Sequence, residues 1–228
     1  MDIAFLLFPG VTQLDLTGPA QVLSRLPDAR VHLVWESLDP VPTDAGFSIL
    51  PNATFADIPT PDLLCVPGGM GISDVIENAA ALDWVRHAGQ NTQWVTSVCT
   101  GALIVGAAGL LEGYRATTHW AWHDQLALFG ATPVDARYVI DRNRATGGGV
   151  TAGIDFALSL VAEIAGENVA RIIQLALEYD PAPPFNAGSP DAAGAELVAA
   201  YTARADRMAP DRLARLQAAA KRLGFNGA

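Results

Sequence analysis

Uniformly apolar runs, rather than alternating ones, set the rhythm of this chain. Residues 3–8 (IAFLLF) and 63–66 (LLCV) are apolar at every position, the mark of strands covered on both faces. Residues 31–35 and 93–95 read as further strands, and 138–140 and 144–146 as short strands around the turn Asp141-Arg142-Asn143. Between these runs lie helical patterns. One passes through 20–23, with Pro19 suited to the first helical position. Others cover 74–90 (Ile76, Leu82 and Val85 facing the core), 102–111, 120–129, 154–164 and 169–179. Residues 39–57 mix Pro, Gly and short β-like pieces in a small excursion, and 116–119 read as a short strand or loop. Strands and helices alternate, which predicts an α/β fold: a mainly parallel sheet with helices on both faces.

No repeat or linker divides the chain, so a single domain is expected over 1–228, with a C-terminal arm and helix at about 180–228. Residues 180–190 are too rich in Pro and Gly for regular structure. They read as an ordered arm in which Phe185 finds something to bury. From 191 to 223 the pattern is one long helix. Leu197, Tyr201, Leu213 and Leu216 form its narrow apolar face, which suits packing on the domain or on a partner subunit.

Composition narrows the function. Half of the 228 residues are apolar, 17% are charged, and the net charge is −10. Such a surface disfavours nucleic acid and anionic membrane. The N-terminus has no basic region, and its apolar run is too short for a signal peptide or membrane span. Two cysteines make neither a disulfide framework nor a zinc set, which fits the cytoplasm.

The candidate chemistry centres on Thr96-Ser97-Val98-Cys99-Thr100-Gly101-Ala102. A strand precedes Cys99 and a small, apolar helix follows, the setting of a nucleophile elbow. Gly101 lets the turn close. A helix N-terminus there would favour a thiolate, although a small thiol buried at a strand end would look the same. Crevices of parallel sheets lie beyond the strands' carboxyl ends, where the turn with Asp15, the Gly68-Gly69 turn and Cys99 all fall. Asp15 is the acid–base candidate; a helix-capping role is its plainer alternative. Gly68-Gly69 and the Thr100 N–H offer an oxyanion hole, with the thinner alternative of a tight turn. The Thr100 hydroxyl could hold a water. His119 suits a pocket wall or a donor near Cys99. Its spacing to His123 permits a metal pair, but no third ligand is evident, so no metal site is expected. Trp120 and Trp122 read as core or pocket lining, and Cys65 as inert packing. Gly147-Gly148-Gly149 lacks the ending of a phosphate loop.

Taken together, Leu14-Asp15-Leu16-Thr17-Gly18-Pro19, Val66-Pro67-Gly68-Gly69, Ser97-Val98-Cys99-Thr100-Gly101 and Ala116-Thr117-Thr118-His119-Trp120 resemble the DJ/PfpI superfamily, with its class I glutamine-amidotransferase-like, flavodoxin-like sandwich. Within it, residues 177–190 are similar to the C-terminal segment of the isonitrile hydratase group. That resemblance implies a cofactor-free homodimer acting on a small isonitrile, with Cys99 as nucleophile, Asp15 as acid–base and Thr100 beside them. It further implies a covalent thioimidate and an N-substituted formamide product. Gly69, His119 and Trp120 would line the substrate site. Protease-like and glyoxalase-like members carry glutamate at the acid position, and the protease-like ones a histidine directly after the cysteine. Asp15 and Thr100 stand there instead, which counts against both activities.

Two alternatives share these motifs. Regulators of the AraC type carry similar stretches but continue into a basic DNA-binding domain, whereas this chain is acidic and ends at Ala228. A ligand- or redox-sensing stress protein would use Cys99 as an oxidisable thiol.

Overall fold

The computed structural model describes residues 1–225; the last three residues of the expected 1–228 domain lie outside it. The chain runs β1 (Asp2–Leu6), α1 (Gln13–Leu23), β2 (Arg30–Trp35), β3 (Val41–Pro42), β4 (Ser48–Ile49), β5 (Ala53–Thr54), β6 (Leu63–Val66), α2 (Ile72–Glu77), α3 (Ala79–Asn91), β7 (Trp94–Val98) and α4 (Gly101–Ala107). It continues through β8 (Arg115–Ala116), a 3-10 helix (Trp120–Phe129), β9 (Thr132–Pro133), β10 (Tyr138–Asp141), β11 (Arg144–Gly147), α5 (Ala152–Ala165), α6 (Glu167–Ala176), α7 (Pro190–Ala193), α8 (Ala195–Met208) and α9 (Arg212–Arg222).

Seven strands form the central sheet in the order β10-β11-β7-β6-β1-β2-β5. Every pairing is parallel except β10 with β11. The uniformly apolar runs are the central strands, and β6 is buried at each position. Helices α1, α5 and α6 pack together, as do α2, α3 and α4. The chain winds outward from β1 in both directions, which makes the C-terminal ends of β1, β6 and β7 a switch point where a crevice opens.

Several elements depart from the sequence expectation. Pro19 does not start a helix: α1 begins at Gln13, and Pro19 sits inside it. The missing proline N–H leaves one backbone bond unmade, while Leu16, Val22 and Leu23 bury the helix regardless. The 74–90 pattern is two helices, because Asn78 leaves the helical region and its side chain accepts from Ala81 N to cap α3. The helix after Cys99 stops at Ala107, where Gly109 turns left-handed at φ 78°. Residues 120–129 are helical in the tighter 3-10 form.

The long terminal helix is instead three. Gly194, at φ 80°, separates α7 from α8, and Ala209-Pro210 separates α8 from α9, since proline restrains the residue before it. Helix α9 docks through buried Leu216, Ala219 and Ala220. Its Arg215 reaches Asp74 and Glu77 on α2 at 2.6–2.8 Å, and Arg222 donates to Ile76 O at 3.1 Å. The arm does not bury Phe185, which is 80% exposed.

Candidate active site

Cys99 stands between β7 and α4 with a φ of 53°. This left-handed conformation is strained for a residue with a side chain, and its surroundings hold it there. The Cys99 N–H lies 2.8 Å from Gly148 O and 3.1 Å from Gly147 O. On the other side, Thr118 Oγ1 donates to Cys99 O at 2.6 Å. The turn closes only because residue 101 is glycine. A Cβ there would lie 2.1 Å from Val66 O and 2.6 Å from Pro67 O, far inside contact distance. The sharp turn directs the thiol away from the sheet, and Cys99 is 7% exposed.

Asp15 lies in the first turn of α1, fully buried. It does not cap that helix. Its Oδ2 accepts from Gly68 N at 3.0 Å, and its carboxyl is close enough to the Cys99 thiol for the two groups to shift each other's titration. Burial pushes the Asp15 pKa up to about 7; the Gly68 N–H and Cys99 bonds oppose the shift without offsetting it. Oδ1 is buried with no partner among the described residues.

Burial, and secondarily the Asp15 carboxylate, also push the Cys99 thiol well above its usual range. The Thr100 N–H and hydroxyl favour a thiolate but are outweighed. The expected stabilisation by a helix N-terminus is therefore insufficient here, because desolvation is the larger effect. Near neutral pH the Cys99 thiol therefore keeps its proton, while Asp15 is close to half ionised.

The Gly68-Gly69 turn serves differently from an oxyanion hole. Gly68 N–H is engaged by Asp15, and Gly69 N–H donates to Thr100 Oγ1 at 3.0 Å. The glycines fix the acid and the threonine in place. Gly68 has no alternative: a Cβ would meet Thr100 N at 2.6 Å and Asp15 Oδ2 at 2.8 Å.

A cavity of about 430 Å³ opens over Cys99, lined by Gly69 and Thr100 at its floor and by His119 and Trp122 at the side. Its roof is the C-terminal segment: Tyr201, Arg204, Ala205 and Met208 of α8, and Arg212 of α9. Of the residues singled out from sequence, Cys99, Thr100, Gly69 and His119 face this cavity, with Asp15 behind the thiol. Trp120 does not. It packs on His119 and Tyr201 at centroid distances of 5.5 and 5.0 Å and lines a second hollow with the 187–190 arm and α8. Trp122 takes the place expected for it. The roof residues carried no local signal, since nothing near them in sequence resembles a motif.

His119 is a neutral wall. Its Nδ1 accepts from Ala121 N at 3.3 Å, which leaves Nε2 as the protonated nitrogen, 3.4 Å from Tyr201 Oη. Burial, with Arg212 adding to it, pulls its pKa down to about 4. His123 lies in a separate crevice with Asp124, Leu128 and Leu213. Among the described residues no three His, Cys, Asp or Glu side chains cluster to hold a metal. No helix among them is long and apolar enough to cross a membrane. Cys65 is completely buried, and burial pushes its thiol up to about 12, so it stays a protonated packing group.

The DJ-1/PfpI family model matches residues 1–163. Isonitrile hydratase of Pseudomonas putida is 55% identical over 198 residues, 87% of each chain. The HTH-type transcriptional regulator CdhR of Pseudomonas aeruginosa is 29% identical over 74% of this chain and 52% of its own length. A solved THiJ/PfpI family protein from Pseudomonas syringae superposes with a TM-score of 0.90 at 45% identity, covering 96% of this chain and 90% of that one.

Proposed function

The chain belongs to the DJ-1/PfpI family, and from that premise we propose that it hydrates an isonitrile to an N-substituted formamide. The observation that carries this reading is the placing of a buried carboxyl, Asp15, behind the sulfur nucleophile Cys99 held at φ 53° in the elbow; burial brings the acid's titration up to about 7. An isonitrile carbon needs both a proton and a nucleophile on the same atom. The thiol proton passes to Asp15 and from there to the terminal carbon, while Cys99 Sγ bonds to that carbon, giving a thioimidate. Asp15 Oδ1, without a hydrogen-bond partner among the described residues, is the atom suited to this exchange. Water then adds to the carbon, with its proton reaching nitrogen. Collapse of the adduct forms the carbonyl, breaks the carbon–sulfur bond and returns the thiol. Atoms balance with water as the sole co-reactant.

Cys99 is 7% exposed, which supports this reading over a redox sensor, since sensing thiols are solvent-accessible. We further propose a homodimer, supported by the exposed apolar side chains of Ile172, Leu175 and Phe185, and a cytoplasmic location, supported by two free cysteines. Light scattering is expected at twice 23.9 kDa. The deciding assay follows formamide formation from cyclohexyl isonitrile by wild type and Cys99→Ala. Turnover by the wild type and none by the variant is expected. Equal rates, or no wild-type turnover with the thiol reduced, would overturn the proposal.

A further inference from the structure

Arg212 poses a question that hydration of a plain alkyl isonitrile leaves open. It is 4% exposed, yet no carboxylate among the described residues forms an ion pair with it, whereas its neighbour Arg215 has two. Its guanidinium carbon sits 4.3 Å over the Trp122 ring. One terminal nitrogen donates to the Met70 sulfur at 3.4 Å. Its Nε is buried with no hydrogen-bond partner among the described residues. A guanidinium carries five donors in a fixed fork, and burying it without an anion is costly.

The same side chain lines the cavity over Cys99. A second cation, Arg204, lies at the exposed edge of that cavity. The one ordinary carboxylate there, Asp44, is already accepting from Thr12 Oγ1 at 2.6 Å. A chain of net charge −10 therefore keeps a local excess of positive charge at its proposed active site. A wall of Trp122 and Met70 leaves that charge poorly screened.

We propose that Arg212 is an anion subsite and that the substrate is an isonitrile bearing a carboxylate close to the isocyano carbon. The proposal rests on the hydratase reading of the same cavity. The carboxylate would take the open donors of Arg212, with Arg204 at the entrance. The isocyano group is linear, so a short linker suffices to set its terminal carbon toward Cys99 while the carboxylate stays on the guanidinium. A carboxylate also fits the planar fork bidentately, a specificity that lysine cannot reproduce.

The test compares isocyanoacetate with its methyl ester, which removes the charge and adds one methyl group, and reads the ratio of their kcat/KM values. The wild type is expected to prefer the acid by at least about tenfold, the effect of one charge-assisted hydrogen bond. In Arg212→Met the ratio should fall to about one, through a rise in KM for the acid; Arg212→Lys should retain part of it. A wild type that takes the ester as well as the acid would overturn the proposal. So would an Arg212→Met variant that loses both substrates in equal proportion, since that is the signature of a structural role. Absence of turnover with all three of isocyanoacetate, its ester and cyclohexyl isonitrile would instead count against the hydratase reading. Calorimetric binding of N-formylglycine, wild type beside Arg212→Met, then decides the anion subsite separately: binding that depends on Arg212 supports it, and equal or absent binding sinks it.

Discussion

Replacing Asp15 by asparagine should disable the protein and stabilise it. The carboxyl ionises at 3.8 when unperturbed and at about 7 in the fold. Between those values the native state keeps a proton that the unfolded chain has lost, so the wild type loses stability as the pH rises from about 4 to about 7. The loss amounts to about 4 kcal/mol once the carboxylate is fully ionised. Asparagine has no charge to desolvate, and its side-chain oxygen can still accept from the Gly68 N–H. Asp15→Asn should therefore match the wild type near pH 4 and exceed it by several kcal/mol at pH 8. Urea unfolding of both proteins at the two pH values measures the difference. Turnover should fall by about 10²–10⁴-fold, the usual contribution of a positioned acid–base group. A stability gap that is the same at both pH values, or an asparagine variant weaker than the wild type at pH 8, would refute the picture of a carboxylate held buried against its own solvation.

The same titration should appear in catalysis. With cyclohexyl isonitrile, kcat/KM is expected to rise through about pH 7 as Asp15 becomes able to accept the thiol proton; a profile that falls over that range would require the opposite protonation state. Gly101→Ala places a carbon against Val66 O and Pro67 O and should abolish turnover and lower the melting temperature, whereas near-normal values for both would contradict the elbow geometry. Thr100→Val orphans the buried Gly69 N–H and should cost about 1–3 kcal/mol in urea unfolding, with reduced kcat; an unchanged midpoint would show that the bond contributes nothing.

Local chemistry was readable along the chain. The uniform apolar runs are the central strands because burial on both faces leaves no polar position free. Gly101 is the closure of the elbow because only hydrogen fits beneath the carbonyls of residues 66 and 67. Asp15, Gly68 and Cys99 could be placed at strand ends from sequence alone, and the parallel sheet brings those ends together. What the Gly68-Gly69 amides do was not readable, since their bonds to Asp15 and Thr100 cross 53 and 31 residues. Nor was the inversion of the thiol's tendency: a helix start is a local feature, whereas desolvation is a property of everything packed around it. The roof over the site lies furthest from sequence reasoning. Helix periodicity alone would make Tyr201, Met208 and Arg212 parts of one surface helix. Gly194 and Pro210 break that helix, α2 anchors α9 through Arg215, and the fold thereby sets a charged guanidinium in a buried wall above Cys99. Motifs near in sequence specify the reacting atoms, because turn geometry and burial pattern act over a few residues. The size and charge of the cavity arise from long-range packing and could be decided only by the tertiary structure.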